Sequence, residues 1–265
     1  MSAVRRDRVA DGVTLLTLDR PERLNAMSRE LVTDLHEALT AVGDDPDCRV
    51  AILTGAGRGF CAGLDLKETG DLAEAAGGPP AAMRAQQHIA SLVTQLRGLP
   101  KPVIAAVNGP ATGGGLALAL ACDVRLAAES ACFNVAFIRV GLSGCDIGVS
   151  YLLPRLVGAS RAFELMLTGR MVESTEADRI GLVSRVVPDG EVVDAALETA
   201  ELIRANSPFG VWMTKEVMWS NLEAGSLRAA IDLENRTQLL SSYTGDMREA
   251  LAAFLEKRPP KFSGR

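Results

Sequence analysis

The spacing of polar and apolar positions changes period several times along the chain, and each change marks an expected element. Val13 to Leu18 is apolar and β-branched and stops at Asp19-Arg20-Pro21, which reads as a strand followed by a turn. From Ser28 the period lengthens to that of a helix. Leu31, Leu35, Ala38 and Leu39 share one face, Ser28 sits at the N-cap, and Asp44-Asp45-Pro46-Asp47 breaks the pattern. Val50-Ala51-Ile52-Leu53-Thr54 predicts a short buried strand leading into a Gly-rich loop over 55–63. A helix is expected from near Asp65, an interruption at Gly77-Gly78-Pro79-Pro80, and a long helix over about 81–97.

Further along, Pro100-Lys101-Pro102 opens a strand over 103–107, and three glycines lead into an apolar helix over 114–121. A strand over 124–127, two helices between 148 and 168, and a strand over 183–187 follow. From 191 onward the pattern is wholly helical, in segments of about 191–205, 209–222, 227–240 and 246–257. Strands interleaved with helices, then helices alone, predict an α/β core at 1–205 and a helical region at 206–265, divided at Asn206-Ser207-Pro208.

Composition narrows the function. The 265 residues carry a net charge of −5, which argues against a broad nucleic-acid surface but leaves room for local phosphate pockets. No apolar run reaches the roughly 18 residues of a membrane span, and no signal sequence is read at the start. Five scattered cysteines without metal-ligand spacing fit reduced thiols, and with only two histidines, His36 and His88, a multi-histidine metal site is not expected. A cytoplasmic protein without a metal is the expectation.

Two segments carry the candidate chemistry. In Gly59-Phe60-Cys61-Ala62-Gly63-Leu64-Asp65-Leu66-Lys67, glycines let the backbone approach a ligand and turn its N–H groups outward. In Asn108-Gly109-Pro110-Ala111-Thr112-Gly113-Gly114-Gly115-Leu116, three glycines open a helix at a cost of about 1 kcal/mol each relative to alanine, so a reason for them is worth seeking. The second segment is neither a P-loop nor GxGxxG. Read singly, a strand-to-helix turn and close helix–strand packing explain them equally well.

Together, in this order and with the tail Ala121-Cys122-Asp123-Val124-Arg125, the two segments resemble the crotonase superfamily of enoyl-CoA hydratases and isomerases. Leu24-Asn25-Ala26-Met27, Leu165-Met166-Leu167-Thr168-Gly169 and Ala177-Asp178-Arg179-Ile180-Gly181-Leu182-Val183 extend the match to about residues 5–260. The resemblance implies a crotonase-like spiral of ββα units and an acyl-CoA thioester substrate, with coenzyme A as part of the substrate and no separate cofactor. It also implies a homotrimer or hexamer. Two backbone N–H groups, those of Leu64 and Gly114, are expected to hold the thioester oxygen as negative charge develops on it. The same carry-over points to Arg23, Ala62, Asp65, Leu66 and Lys67, and to Phe254 and Lys257 of the last helix, as coenzyme A contacts. For Arg23, Lys67 and Lys257, plain surface charge is the competing reading.

The sequence departs from the hydratases at both of their glutamates. Ala117 and Phe137 stand in those places, and neither can transfer a proton. One carboxylate remains nearby: Asp146 resembles the catalytic aspartate of dienoyl-CoA isomerases and the nucleophile of chlorobenzoyl-CoA dehalogenase, or else it caps the next helix. The dehalogenase comparison lacks its other partners, since Ala90 and Ile138 fill those positions and His88 lies about 200° round the helix from residue 90. Cys145 is read as a buried small residue. The expectation is an acid/base or nucleophilic role for Asp146 in an acyl-CoA enzyme; the alternative is a non-catalytic acyl-CoA-binding protein.

Overall fold

The computed structural model describes residues 2–68 and 78–264. Its frame is a six-stranded sheet built from β1 (Val4–Ala10), β2 (Val13–Leu18), β3 (Val50–Gly55), β4 (Val103–Val107), β6 (Val124–Ala128) and β9 (Arg185–Val187), in that spatial order. β1 and β2 form an antiparallel hairpin, and every other pairing is parallel. A second, smaller sheet holds β5 (Ala111–Thr112), β7 (Cys132–Asn134) and β8 (Val172–Glu173), and isolated bridges Met27–Leu64 and Cys61–Ala111 extend it.

The chain therefore winds as a spiral. Each turn gives strands to the large sheet, two in the first turn and one in each later turn, a short extended piece to the second layer, then a helix. The first turn ends in α1 (Arg29–Asp44), the second reaches α2 (Pro79–Gly98), the third ends in α3 (Gly114–Ala121), and the fourth in α4 (Val149–Val157) and α5 (Ala159–Thr168). A short α6 (Ser174–Arg179) returns the chain to β9. The expected ββα spiral is present. The helix expected near Asp65 begins as a turn at 66–68 and then lies, with Gly77, outside the described residues.

Parallel strands buried on both faces explain the unbroken apolar runs in the sequence. In β3 and β4, Ala51, Leu53, Val103, Ala105 and Val107 face α1, α2 and α3, whereas Val50, Ile52, Ile104 and Ala106 face α7 (Val192–Arg204). β1 was not foreseen because it is an edge strand whose exposed Arg5, Arg6, Asp7 and Arg8 hide any alternation. The two- and three-residue strands β5, β7 and β8 are too short to carry a period.

Three helices complete the chain: α8 (Pro208–Asn221), α9 (Leu227–Ser242) and α10 (Gly245–Glu256). Ser207 caps α8, accepting a hydrogen bond from Gly210 N. One polar anchor ties α8 to the sheet. The buried Lys215 ammonium lies 2.9 Å from Asp123 Oδ2 and donates to the carbonyls of Leu96 and Lys101, while Trp219 Nε1 donates to Asp123 Oδ1. Beyond that anchor much apolar surface is open: Leu239, Leu240, Leu251, Phe254 and Leu255 are exposed. Among the described residues no helix is long and apolar enough to cross a membrane.

Candidate active site

The site forms where β3 and β4 end, and two asparagines, the buried Asn25 and the half-buried Asn108, shape it. Asn25 is fully buried; its Oδ1 accepts from Arg20 N (2.9 Å) while its Nδ2 donates to Ala56 O (2.9 Å) and Gly59 O (2.8 Å). Leu24 and Asn25 adopt left-handed conformations, φ 50° and 56°, to reach this position. From the other side Asn108 Nδ2 donates to Gly57 O (2.9 Å), and its Oδ1 accepts from Gly55 N (3.1 Å). The Gly-rich loop is thus gripped from both flanks, which satisfies backbone groups that have no sheet partner.

That grip sets the direction of two N–H groups. Met27 N donates to Gly63 O (2.7 Å) and Asp65 N donates to Met27 O (3.1 Å), so the parallel bridge engages the residues on either side of Leu64 and turns the Leu64 N–H away. Gly114 is the first residue of α3, where no carbonyl four residues back is available. Among the described residues neither N–H has an acceptor. The two peptides are neighbours: a Cβ on Gly63 would stand 3.3 Å from Gly114 N. It would also meet Thr112 O at 2.8 Å, and Gly63 has φ 87°, so only glycine fits there. A Cβ on Gly115 would overlap the Cys61 carbonyl, which accounts for the last of the three costly glycines. Two neighbouring free donors, one at a helix N-terminus, can stabilise a negatively polarised oxygen when both face it.

The residue that follows Asp146, Ile147, packs against this frame. The Ile147 Cδ1 lies 3.5 Å from where a Gly114 Cβ would be, and Ile147 adopts φ 32°, an uncommon conformation for a β-branched residue. That conformation lets Ile147 N donate to Oδ1 of Asp146 (2.8 Å). Gln86 Nε2, from α2, donates to the same oxygen (2.5 Å). Asp146 is half-buried. It does not cap α4: the N-cap is Gly148, with no side-chain bond to the helix.

The positions that lack acids are filled. Ala117 is fully buried in α3, and Phe137, 8% exposed, sets its ring edge 3.5 Å from where a Gly113 Cβ would be. Cys145 is a correction. It was expected to be buried, yet it is exposed, because Gly141, Leu142, Ser143 and Cys145 run along the surface. His88 stacks on His36 with centroids 4.5 Å apart, as a packing residue would. Burial and His36 lower its pKa.

The candidate coenzyme A residues divide into two groups. Asp65 is 5% exposed, 3.1 Å from Arg20 Nη1 and 3.9 Å from Arg23 Nε, so it ties the loop to the turn after β2. Ala62 and Arg23 are half-buried beside it, and Leu66 and Lys67 are exposed. Phe254, 80% exposed, and Lys257, the left-handed C-cap of α10, form no hydrogen bond to this loop. A cleft of about 380 Å³ lies at the opposite ends of β3 and β4, lined by Arg49, Lys101 and Trp212 among others. The cations there are occupied, Arg49 by the carbonyls of Arg204 and Asn206 and Lys101 by those of Val42 and Asp45. Ligands of open parallel sheets bind at the carboxyl ends of strands, where Leu64 and Gly114 are.

Sequence reasoning missed Gln86, Ile147 and the clamping role of Asn25 and Asn108. Gln86 and Asp146 are 60 residues apart, and no local pattern links them.

Comparison with known proteins agrees with this architecture. The model of the enoyl-CoA hydratase/isomerase family matches residues 8–265. A probable enoyl-CoA hydratase of Mycobacterium bovis, echA12, is 47% identical over 95% of this chain and 89% of its own length. The 1,2-epoxyphenylacetyl-CoA isomerase of Escherichia coli is 40% identical over 97% of both chains. The crystal structure of an enoyl-CoA hydratase from Bacillus anthracis superimposes with a TM-score of 0.94 at 37% identity, covering 99% of this chain and 100% of that one. Spiral, loops and relatives converge, and the chain belongs to the enoyl-CoA hydratase/isomerase family.

Proposed function

We propose that this family member is an acyl-CoA isomerase in which a single carboxylate, Asp146, moves the proton. The observation that carries the reading is the pairing of two unengaged N–H groups, Leu64 and Gly114, with one carboxylate, while Ala117 and Phe137 supply no acid. Hydration needs groups that activate water and protonate carbon. Shifting a double bond needs one group that takes a proton and returns it elsewhere. On a 3-enoyl thioester, the Asp146 carboxylate removes a proton from C2, and the electron pair moves through the carbonyl to oxygen as a dienolate. The two N–H groups hold that oxygen, each worth about 3 kcal/mol in related arrangements. Asp146, now protonated, returns the proton to C4, leaving the double bond between C2 and C3. Isomerase chemistry occurs among the relatives of this chain, the 40% identical protein of Escherichia coli being named a 1,2-epoxyphenylacetyl-CoA isomerase, beside the 47% identical probable hydratase.

Arg23, Ala62, Asp65, Leu66 and Lys67 surround the coenzyme A moiety of the substrate in this proposal, and no further cofactor enters. Phe254 and Lys257 contribute from a neighbouring copy, in a trimer or hexamer that covers the apolar faces of α9 and α10. The test is substrate competition on the purified protein. Isomerisation of 3-hexenoyl-CoA should exceed hydration of crotonyl-CoA by about a hundred-fold or more, since each missing acid or base is worth roughly 10²–10⁴ in rate. Hydration as fast as isomerisation would overturn the proposal.

A further inference from the structure

We propose that Gln86 is a positioning residue that holds Asp146 with one oxygen committed and the other free to take the proton. The inference rests on the role given to Asp146 above and adds a residue from another element of the fold. Both hydrogen bonds to the carboxylate, from Ile147 N and from Gln86 Nε2, end on Oδ1. Among the described residues Oδ2 has no partner. Two donors on one oxygen fix the plane of the carboxyl group, so Oδ2 keeps one direction.

The two donors are unequal. Ile147 is the next residue, its side chain buried in the main core, so its N–H adds no element beyond the segment that already carries Asp146. Gln86 stands on α2, whose Leu92, Val93 and Leu96 are buried in the main core. Gln86 is therefore the donor that ties the carboxylate to a second element of the fold. Its amide can only face Asp146 through nitrogen, because the carbonyl oxygen would meet a carboxylate with no hydrogen between them. Gln86 itself is exposed, so the bond adds little to folding and its effect belongs in turnover. Displacing a reacting group by about 1 Å can cost roughly a hundred-fold in rate.

The experiment compares Gln86→Leu, Gln86→Glu, Gln86→Lys and, as a control one residue along, Gln87→Leu, each on 3-hexenoyl-CoA. Leu removes the donor, Glu keeps the shape without an N–H, and Lys restores a donor. Gln86→Leu and Gln86→Glu should lose about ten-fold or more in kcat with KM within about two-fold, the signature of a group that acts on the transition state alone. Gln86→Lys should recover at least about three-fold over Gln86→Leu, short of full recovery because its charge lowers the basicity of Asp146, and Gln87→Leu should match the parent. Melting temperatures and acyl-CoA affinity are measured alongside, and Gln86→Glu decides if Gln86→Leu folds poorly. If Gln86→Leu and Gln86→Glu turn over like the parent while Asp146→Asn is inactive, this inference fails and the role of Asp146 stands. Equal losses in Gln86→Leu and Gln87→Leu overturn it too. An Asp146→Asn variant with parental turnover removes the reading beneath it as well.

Discussion

The two halves of the candidate site are built differently. The loop that presents Leu64 is clamped by the side chains of Asn25 and Asn108, bridged to Met27, and pinned by Asp65 to Arg20. The segment that presents Asp146 crosses the surface, places a β-branched residue in a left-handed conformation, and holds its carboxylate through one neighbouring N–H and one glutamine. The first half is fixed by several side-chain bonds to its backbone. The second can change its acid without unravelling the frame. This division suits a chain with Ala117 and Phe137 at two positions where acids were expected.

Substitutions can break either half. The largest effect expected in the first is at Gly114→Pro. Residue 114 is the first of α3, where the fixed φ of proline suits a helix and its N–H is otherwise unused, while the added Cβ meets Met27 Sδ at 2.7 Å, so Gly114→Ala, which adds the same Cβ and keeps the N–H, is the control. Turnover should drop about 10²–10³-fold, as when one donor of such a pair is removed elsewhere. A folded Gly114→Pro variant with parental kcat would separate Gly114 from catalysis.

Asn25→Ala should act on stability. It removes one acceptor and two donors from a fully buried site and places alanine at φ 56°. About 3 kcal/mol of stability should be lost in chemical denaturation. A loss under about 1 kcal/mol would show that the loop is not held by this clamp.

The contrast extends to the thiols. Burial pushes the Cys61 thiol, in the clamped loop, up to about 12, and does the same to Cys122, whereas Cys145 beside Asp146 is exposed. Alkylation of the native protein at pH 8 should modify Cys145 at least about a hundred-fold faster than Cys61 or Cys122, because the thiolate is the reactive form. Mass spectrometry of time points reads this directly. Comparable rates at Cys61 would mean the loop opens readily.

Much of this was legible in the sequence, for physical reasons. Apolar period marked the long helices and buried strands, and Ser28 was read as the cap it is, accepting from Leu31 N at 3.1 Å. The glycine segments were legible because positions such as Gly63 and Gly115 tolerate no side chain. Features that depend on distant partners were not legible. Gln86 meets Asp146 across 60 residues, β1 is a charged edge, and the exposure of Cys145 follows from how its segment lies on α5, with a Gly144 Cβ position 2.8 Å from Met166 O.

The account turns on one carboxylate, and Asp146→Asn tests it most directly. Asparagine keeps the shape and can still accept from Ile147 N, but it cannot take a proton. The account predicts a kcat on 3-hexenoyl-CoA lower by about 10³-fold or more, with acyl-CoA affinity within about three-fold of the parent. A variant that binds the thioester and turns it over at the parental rate would contradict the account.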